Sequence, residues 1–224
     1  MRVVVFCAHQ DDEMSAGGTI YKHSQRGDEV VVVYLTDGSG GAIGIDPKKL
    51  SRTRYREARK ACKILGVEKI EFLGFKDGFL FFNDETLKAV GKIIRNYKPY
   101  RIYTHYPGEM LGRDNLDHTV VGRLVLEAAF KSGYHNYPEL GRDVWRTPEI
   151  YAYESISPLP NPTTYVDVSD VLEVKLKSMK EHKSQYAAMP YWFDSVKDRM
   201  RMHGTISRVG EYVEVFEALR THVF

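Results

Sequence analysis

Short apolar runs alternate along this chain with stretches of helical period, and that alternation constrains the fold more than any other feature of the sequence. Val3 to Ala8, Val30 to Leu35, Lys69 to Leu73, Tyr100 to Thr104 and Glu149 to Tyr153 read as strands. Ser15 to Arg26, Ser51 to Leu65, Asp84 to Tyr97 and His118 to Lys131 read as helices, with Gly27 and Gly66 as stop signals. Repeats of this kind build βαβ units, whose crossovers cover the faces of a mostly parallel sheet. A fully apolar strand such as Val30 to Leu35 fits where both faces are covered. The expected fold class is therefore α/β, a Rossmann-like, mostly parallel sheet with helices on both faces. Beyond the Pro-rich stretch Ser155 to Pro162, Tyr165 to Val168 reads as a short strand. Helices are expected over Ser169 to about Tyr186, Phe193 to Met202 and Glu211 to Thr221, giving a helical C-terminal region. No repeat or linker divides the chain, so residues 1–224 read as one domain.

Lys and Arg number 32 against 30 Asp and Glu, a net charge of +2, so no basic excess calls for a nucleic acid or a membrane surface. The apolar run from Val3 to Cys7 is too short for a signal peptide. No run approaches the ~18 apolar residues of a membrane span. Cys7 and Cys62 both lie in apolar patterns and read as buried thiols of a reducing compartment. A cytoplasmic protein is expected.

In an open α/β sheet, binding and catalysis gather in the crevice beyond the carboxyl ends of the strands. The first strand ends there in Ala8-His9-Gln10-Asp11-Asp12-Glu13, one imidazole and three carboxylates within five residues. Acidic residues can simply favour a helix N-terminus, and a lone histidine is usually structural, so this cluster by itself leaves both readings open. The fourth strand ends Tyr103-Thr104-His105, and its loop closes with Asn115-Leu116-Asp117-His118 directly before a helix. A histidine on one strand end, a carboxylate beside it and a second histidine from another loop supply three ligands with an open position, the arrangement typical of catalytic zinc. Gly17-Gly18 and Gly38-Ser39-Gly40-Gly41 form neither a dinucleotide fingerprint nor a P-loop, and read as close packing and a flexible rim. A dehydrogenase is further disfavoured by acidic residues where a pyrophosphate needs open amides. Tyr186, Tyr191, Trp192 and Phe193 either stack on a sugar or pack in the core, the latter being the commoner fate of aromatics beside helices.

The first cluster, followed by Gly17-Gly18-Thr19-Ile20, resembles the AHPDDE...GGTI signature of the PIG-L/LmbE-like N-deacetylases. The likeness continues through Leu35-Thr36-Asp37-Gly38, Arg54-Tyr55-Arg56-Glu57-Ala58, Thr104-His105, Asp117-His118, His182-Lys183-Ser184-Gln185 and Glu214-Val215-Phe216. The resemblance implies a metal-dependent hydrolase, zinc by default or another divalent transition metal, that removes acetyl from an N-acetylglucosamine-containing small molecule or glycoconjugate. It implies His9, Asp12 and His118 as metal ligands, Asp11 as catalytic base and Arg54 at the mouth of the site. Two neutral imidazoles and one carboxylate leave such an ion net positive charge, which acidifies water and polarises an amide carbonyl. Asp11 can then move the proton, and Asp117 is expected to orient a neighbour.

Two residues depart from the family pattern. Gln10 replaces the usual Pro, a change expected to be tolerated. Asn115 replaces the first His of the family's His-Pro-Asp-His, which is thought to stabilise the tetrahedral oxyanion. An Asn amide still donates a hydrogen bond to an oxyanion but carries no charge. The competing reading is a catalytically weakened sugar-binding relative. Arg54 and Arg113 are expected to bind substrate, two guanidinium forks suiting a carboxylate or phosphate on it. The partner expected is a small sugar conjugate, with no nucleic acid and no membrane insertion; a homo-oligomer is left open.

Overall fold

The computed structural model describes residues 1–108 and 115–221. Its sheet contains β1 (Arg2–Cys7), β2 (Glu29–Thr36), β3 (Lys69–Phe75), β4 (Arg101–Thr104), β5 (Glu149–Tyr153), β6 (Thr164–Asp167) and β7 (Val213–Arg220), in the order β3-β2-β1-β4-β5-β7-β6. The first five strands pair in parallel, with Val4 opposite Val31 on one side and Ile102 on the other. β7 runs antiparallel between β5 and β6. The helices are α1 (Gly17–Gln25), α2 (Pro47–Ile64), α3 (Asp84–Tyr97), α4 (Leu116–Ser132), α5 (Leu172–Met179), α6 (Lys183–Ala188) and α7 (Pro190–Ser207). Among the described residues no helix is long and apolar enough to cross a membrane.

The period-2 alternation of side chains explains why β1 is apolar throughout. Val4, Phe6 and Ala8 pack with Ile94 of α3 and Val121 and Leu124 of α4 on one face. Val3, Val5 and Cys7 pack with Ile20 of α1 and Ala58 and Cys62 of α2 on the other. Burying a side chain such as Phe6 completely stabilises the fold by roughly 1.5–3 kcal/mol. Both cysteines are free and buried, and burial pushes both thiols up. Close packing also explains two glycines. A Cβ on Gly18 would lie 2.6 Å from Val168, and one on Gly122 would lie 2.6 Å from the His105 carbonyl, so α4 presses directly on the loop after β4.

The C-terminal region differs from the sequence reading. Glu211 to Thr221 is not a helix: Val213 to Arg220 forms β7. The helix formers Ala218 and Leu219 are overridden by the ladder with β5, which pairs Glu217, Ala218 and Arg220, while Val213-Glu214-Val215-Phe216, paired with β6, already has strand character. The helix expected from Ser169 is broken into a 3-10 turn at Ser169–Val171, then α5, then α6. The break brings His182 wholly inside, 2.5 Å from Glu13. α2 starts earlier than expected because Asp46 caps it, accepting from the Lys49 amide at 2.9 Å, with Pro47 in the first turn.

Candidate active site

The chain leaves β1 in one direction along the sheet and β4 in the other, and the crevice between such strands is where ligands bind in open α/β sheets. β1 delivers His9 and its acidic neighbours to that crevice, and β4 delivers His105. A tight turn follows β1: the amides of Asp11 and Asp12 both point to the His9 carbonyl, and the His9 amide donates to Asp12 Oδ2 at 2.7 Å. This turn holds Asp11 at φ 155° and ψ −16°, a region L-residues rarely adopt. Strain of that kind costs about 1–3 kcal/mol and persists where the surroundings fix it. Here Arg54 fixes it, with Nη2 donating to Asp11 Oδ1 at 2.8 Å and to the Gln10 carbonyl at 3.1 Å.

Three donor atoms converge. His9 Nδ1 lies 3.2 Å from His118 Nε2, which lies 3.4 Å from Asp12 Oδ1, and His9 Nδ1 is 3.7 Å from Asp12 Oδ2. Ligands about 2.0–2.1 Å from a shared tetrahedral ion stand ~3.4 Å apart. The residues therefore fit a divalent metal, the 3.2 Å between the two imidazole nitrogens being close to that ligand spacing.

The surroundings orient this set. His9 Nε2 lies 3.2 Å from Asp77 Oδ1 and 3.4 Å from Asp117 Oδ2. Backbone amides place these carboxylates: Asp117 accepts from Gly78 and Leu80, and Asp77 Oδ2 from Gly40. With His9 they form a second group of three possible ligand atoms. His118 Nδ1 faces Ser155 Oγ at 3.3 Å, and His105 stacks on His118 with ring centres 4.0 Å apart. Partners of this kind fix the tautomer and angle of a ligating imidazole.

Burial alone would lower the His9 pKa, but the carboxylates of Asp117, Asp12 and Asp77, placed to accept from the charged ring, outweigh it and raise it well above the ordinary value. Burial opposes the charge on Asp12, yet His118 and His105 hold its carboxyl well below the usual range. For Asp11 burial dominates: its carboxyl is pushed up, with Arg54 pulling the other way. A raised carboxyl pKa suits a group that must both take and return a proton.

Arg54 is buried rather than exposed at the mouth, and its guanidinium is committed to Asp11, Gln10 and the Gly38 carbonyl. Arg113 lies outside the described residues. Asn115 caps α4, its Oδ1 accepting from the Asp117 amide at 2.9 Å, which leaves donation to the nitrogen end of the amide. Gln10 is accommodated by donating to the Thr36 carbonyl at 2.7 Å. Gly17-Gly18 is close packing and not a phosphate cradle: Glu214 accepts from the Gly18 and Thr19 amides, each at 2.8 Å. Sequence reasoning passed over Asp77 and Ser155, and gave no role to Glu13 and His182, which pair at 2.5 Å. Asp77 follows the end of β3, so the strand-end rule that found His9 could have found it.

The histidines and carboxylates line a cleft of about 240 Å³ together with Ser155, Ile156, Gln185, Met189 and Trp192. A His- and Asp-lined cleft at the crossover point of a Rossmann-like sheet defines the class of LmbE-like deacetylase folds. N,N'-diacetylchitobiose deacetylase from Pyrococcus horikoshii has this structure, with a TM-score of 0.89 at 28% identity over 97% of this chain and 83% of that one. The chain belongs to the PIG-L family: residues 4–129 match the family model described as GlcNAc-PI de-N-acetylase. It is 31% identical to the diacetylchitobiose deacetylase of Thermococcus kodakarensis over 83% of this chain and 70% of that one. It is 30% identical to a probable N-acetyl-alpha-D-glucosaminyl L-malate deacetylase 2 of Bacillus cereus over 84% of each.

Proposed function

We propose that the chain, as one domain over residues 1–224, is a zinc-dependent deacetylase that hydrolyses the acetamide of an N-acetylglucosamine unit in a small sugar conjugate. The observation that carries this reading is the convergence of His9 Nδ1, Asp12 and His118 Nε2 beside a strained, buried Asp11. Family membership and the deacetylases among the relatives support it. Two free, buried thiols support a cytoplasmic setting.

His9, Asp12 and His118 are the metal ligands, and a divalent ion held by them supplies Lewis acidity to water and to the amide carbonyl. Asp11 takes a proton from the attacking water and returns it to the leaving amine. Arg54 keeps Asp11 aimed during both transfers, at 2.8 Å from Oδ1. The Asn115 amide nitrogen donates to the oxyanion as the carbonyl becomes tetrahedral. Asp117 and Asp77 hold the His9 ring from behind.

Elemental analysis tests the centre. Wild-type protein is expected to hold one zinc per chain and to release acetate from N-acetylglucosamine conjugates, while His9→Ala holds none and releases none. Equal trace metal in both proteins would overturn the metal centre, and another divalent ion would revise its identity alone.

A further inference from the structure

The cleft lining is of two kinds. Asp11, Asp12 and Asp77 belong to its polar part, and the guanidinium beside them, Arg54, is already bonded to Asp11 and two carbonyls. Among the described residues, three carboxylates against one arginine and a divalent ion leave no surplus positive charge for a substrate anion. Ile156, Met189 and Trp192 belong to its apolar part.

Consecutive aromatics at the start of α7 point in different directions, as ~100° per residue requires. Tyr191 is 87% exposed and Phe193 is 4% exposed in the core, which leaves half-buried Trp192 as the ring turned to the cleft. Its indole is held before any substrate arrives. Arg199, seven residues on along α7, lies over the ring with Cζ 4.3 Å from the centroid. Arg199 Nη1 is itself anchored by the Ser155 carbonyl at 2.6 Å. A platform fixed in this way loses little side-chain freedom on binding. At about 240 Å³ the cleft is smaller than pockets for drug-sized ligands, which run ~300–1,000 Å³, so one acetamido sugar would fill most of it, and Trp192 and Met189 are among the lining residues within reach of a linked unit.

We propose that Trp192 is the platform on which a neutral pyranose linked to the acetamido sugar stacks, so that this site selects neutral N-acetylglucosamine oligosaccharides over anionic conjugates. The inference rests on the deacetylase reading above and competes with the anionic substrate expected from Arg54 and Arg113. The axial C–H groups of a pyranose carry slight positive charge and meet the negative face of an indole.

Two measurements test it. The chain has two tryptophans, so Trp145→Phe leaves Trp192 as the sole indole fluorophore; adding Asp11→Asn stops turnover. In that background N,N'-diacetylchitobiose is expected to shift the emission saturably and at lower concentration than N-acetylglucosamine or its 1-phosphate. In the active enzyme, Trp192→Ala is expected to lower the kcat/KM ratio of disaccharide to monosaccharide about tenfold, and Trp192→Phe to keep most of it. An unchanged ratio in Trp192→Ala, or preference for the phosphate abolished by Arg113→Ala, overturns the proposal. If no substrate yields acetate, the deacetylase reading fails, and the fluorescence titration still decides the platform: a saturable shift upholds it and a flat trace overturns it.

Discussion

At the amino ends of the parallel strands charges meet in pairs beside water, whereas at the carboxyl ends they crowd together out of it. The first residues of β3, β2 and β1 are Lys69, Glu29 and Arg2, and Glu29 bridges both cations at 2.5 and 2.7 Å. The first residues of β4 and β5, Arg101 and Glu149, pair at 2.5 Å. Each sign meets its opposite across neighbouring strands. At the other end, His9, Asp11, Asp12, Asp77, Asp117 and His118 are packed into one buried or nearly buried cluster. That end carries the positive-φ Asp11 and shifted pKa values in both directions. One sheet thus separates a surface arranged for solubility from a site where unfavourable packing is retained for chemistry.

The sharpest way to break this contrast is Asp11→Asn. The change keeps the shape of the side chain and removes its proton affinity, so turnover is expected to fall by about two to four powers of ten with metal retained. Loss of metal together with activity would mean that Asp11 and Asp12 have exchanged roles. A second substitution asks whether burial alone, away from the chemistry, makes a charge expensive to disturb. Lys175 Nζ meets Glu214 Oε1 at 2.6 Å, both side chains 1% exposed. Lys175→Met is expected to lower unfolding free energy by about 3–5 kcal/mol in denaturant titrations, because Glu214 stays buried without its cation. A loss below about 1 kcal/mol would show that the Gly18 and Thr19 amides satisfy Glu214 on their own.

The smallest effect belongs to the amino end. Glu29→Gln is expected to cost about 0.2–1 kcal/mol at neutral pH, as exposed pairs do. Lys69 first, and then Arg2, lower the Glu29 pKa in the folded protein. A depressed carboxyl contributes stability that is present above its unfolded pKa of about 4.3 and is lost as pH falls through the folded value. The difference between wild type and Glu29→Gln should therefore shrink on acidification, and also in high salt. A pH-independent difference would assign it to packing.

Legibility in the sequence followed the range of the physics. β1, β2 and α3 were readable because an unbroken apolar run and a helical period are each written within a few neighbouring residues. His9, Asp11, Asp12 and His118 were readable as two dense clusters, and the metal-ligand geometry brings both together across 109 residues of sequence. Asp77 was not, since a single aspartate in a loop rich in Gly and Phe acquires meaning through His9 and Arg54, both distant in the chain. The C-terminal strand was misread for a related reason. Local preference in Glu217-Ala218-Leu219-Arg220 favours a helix, and one partner strand far away in sequence, β5, decides otherwise. The break before α6 likewise coincides with a distant contact, His182 with Glu13, 169 residues apart.

The place of β7 inside the sheet sets the order of events on the ribosome. Both neighbours, β5 and β6, are synthesised before it, yet neither is paired with the other. At ~5–20 residues per second, β5 leaves an unpaired edge beside β4 for several seconds before β7 emerges. An open edge of that kind is a template for another chain. Translation that stalls after β6 therefore yields a nascent protein prone to pairing with its neighbours, and the insertion of one late strand closes that window.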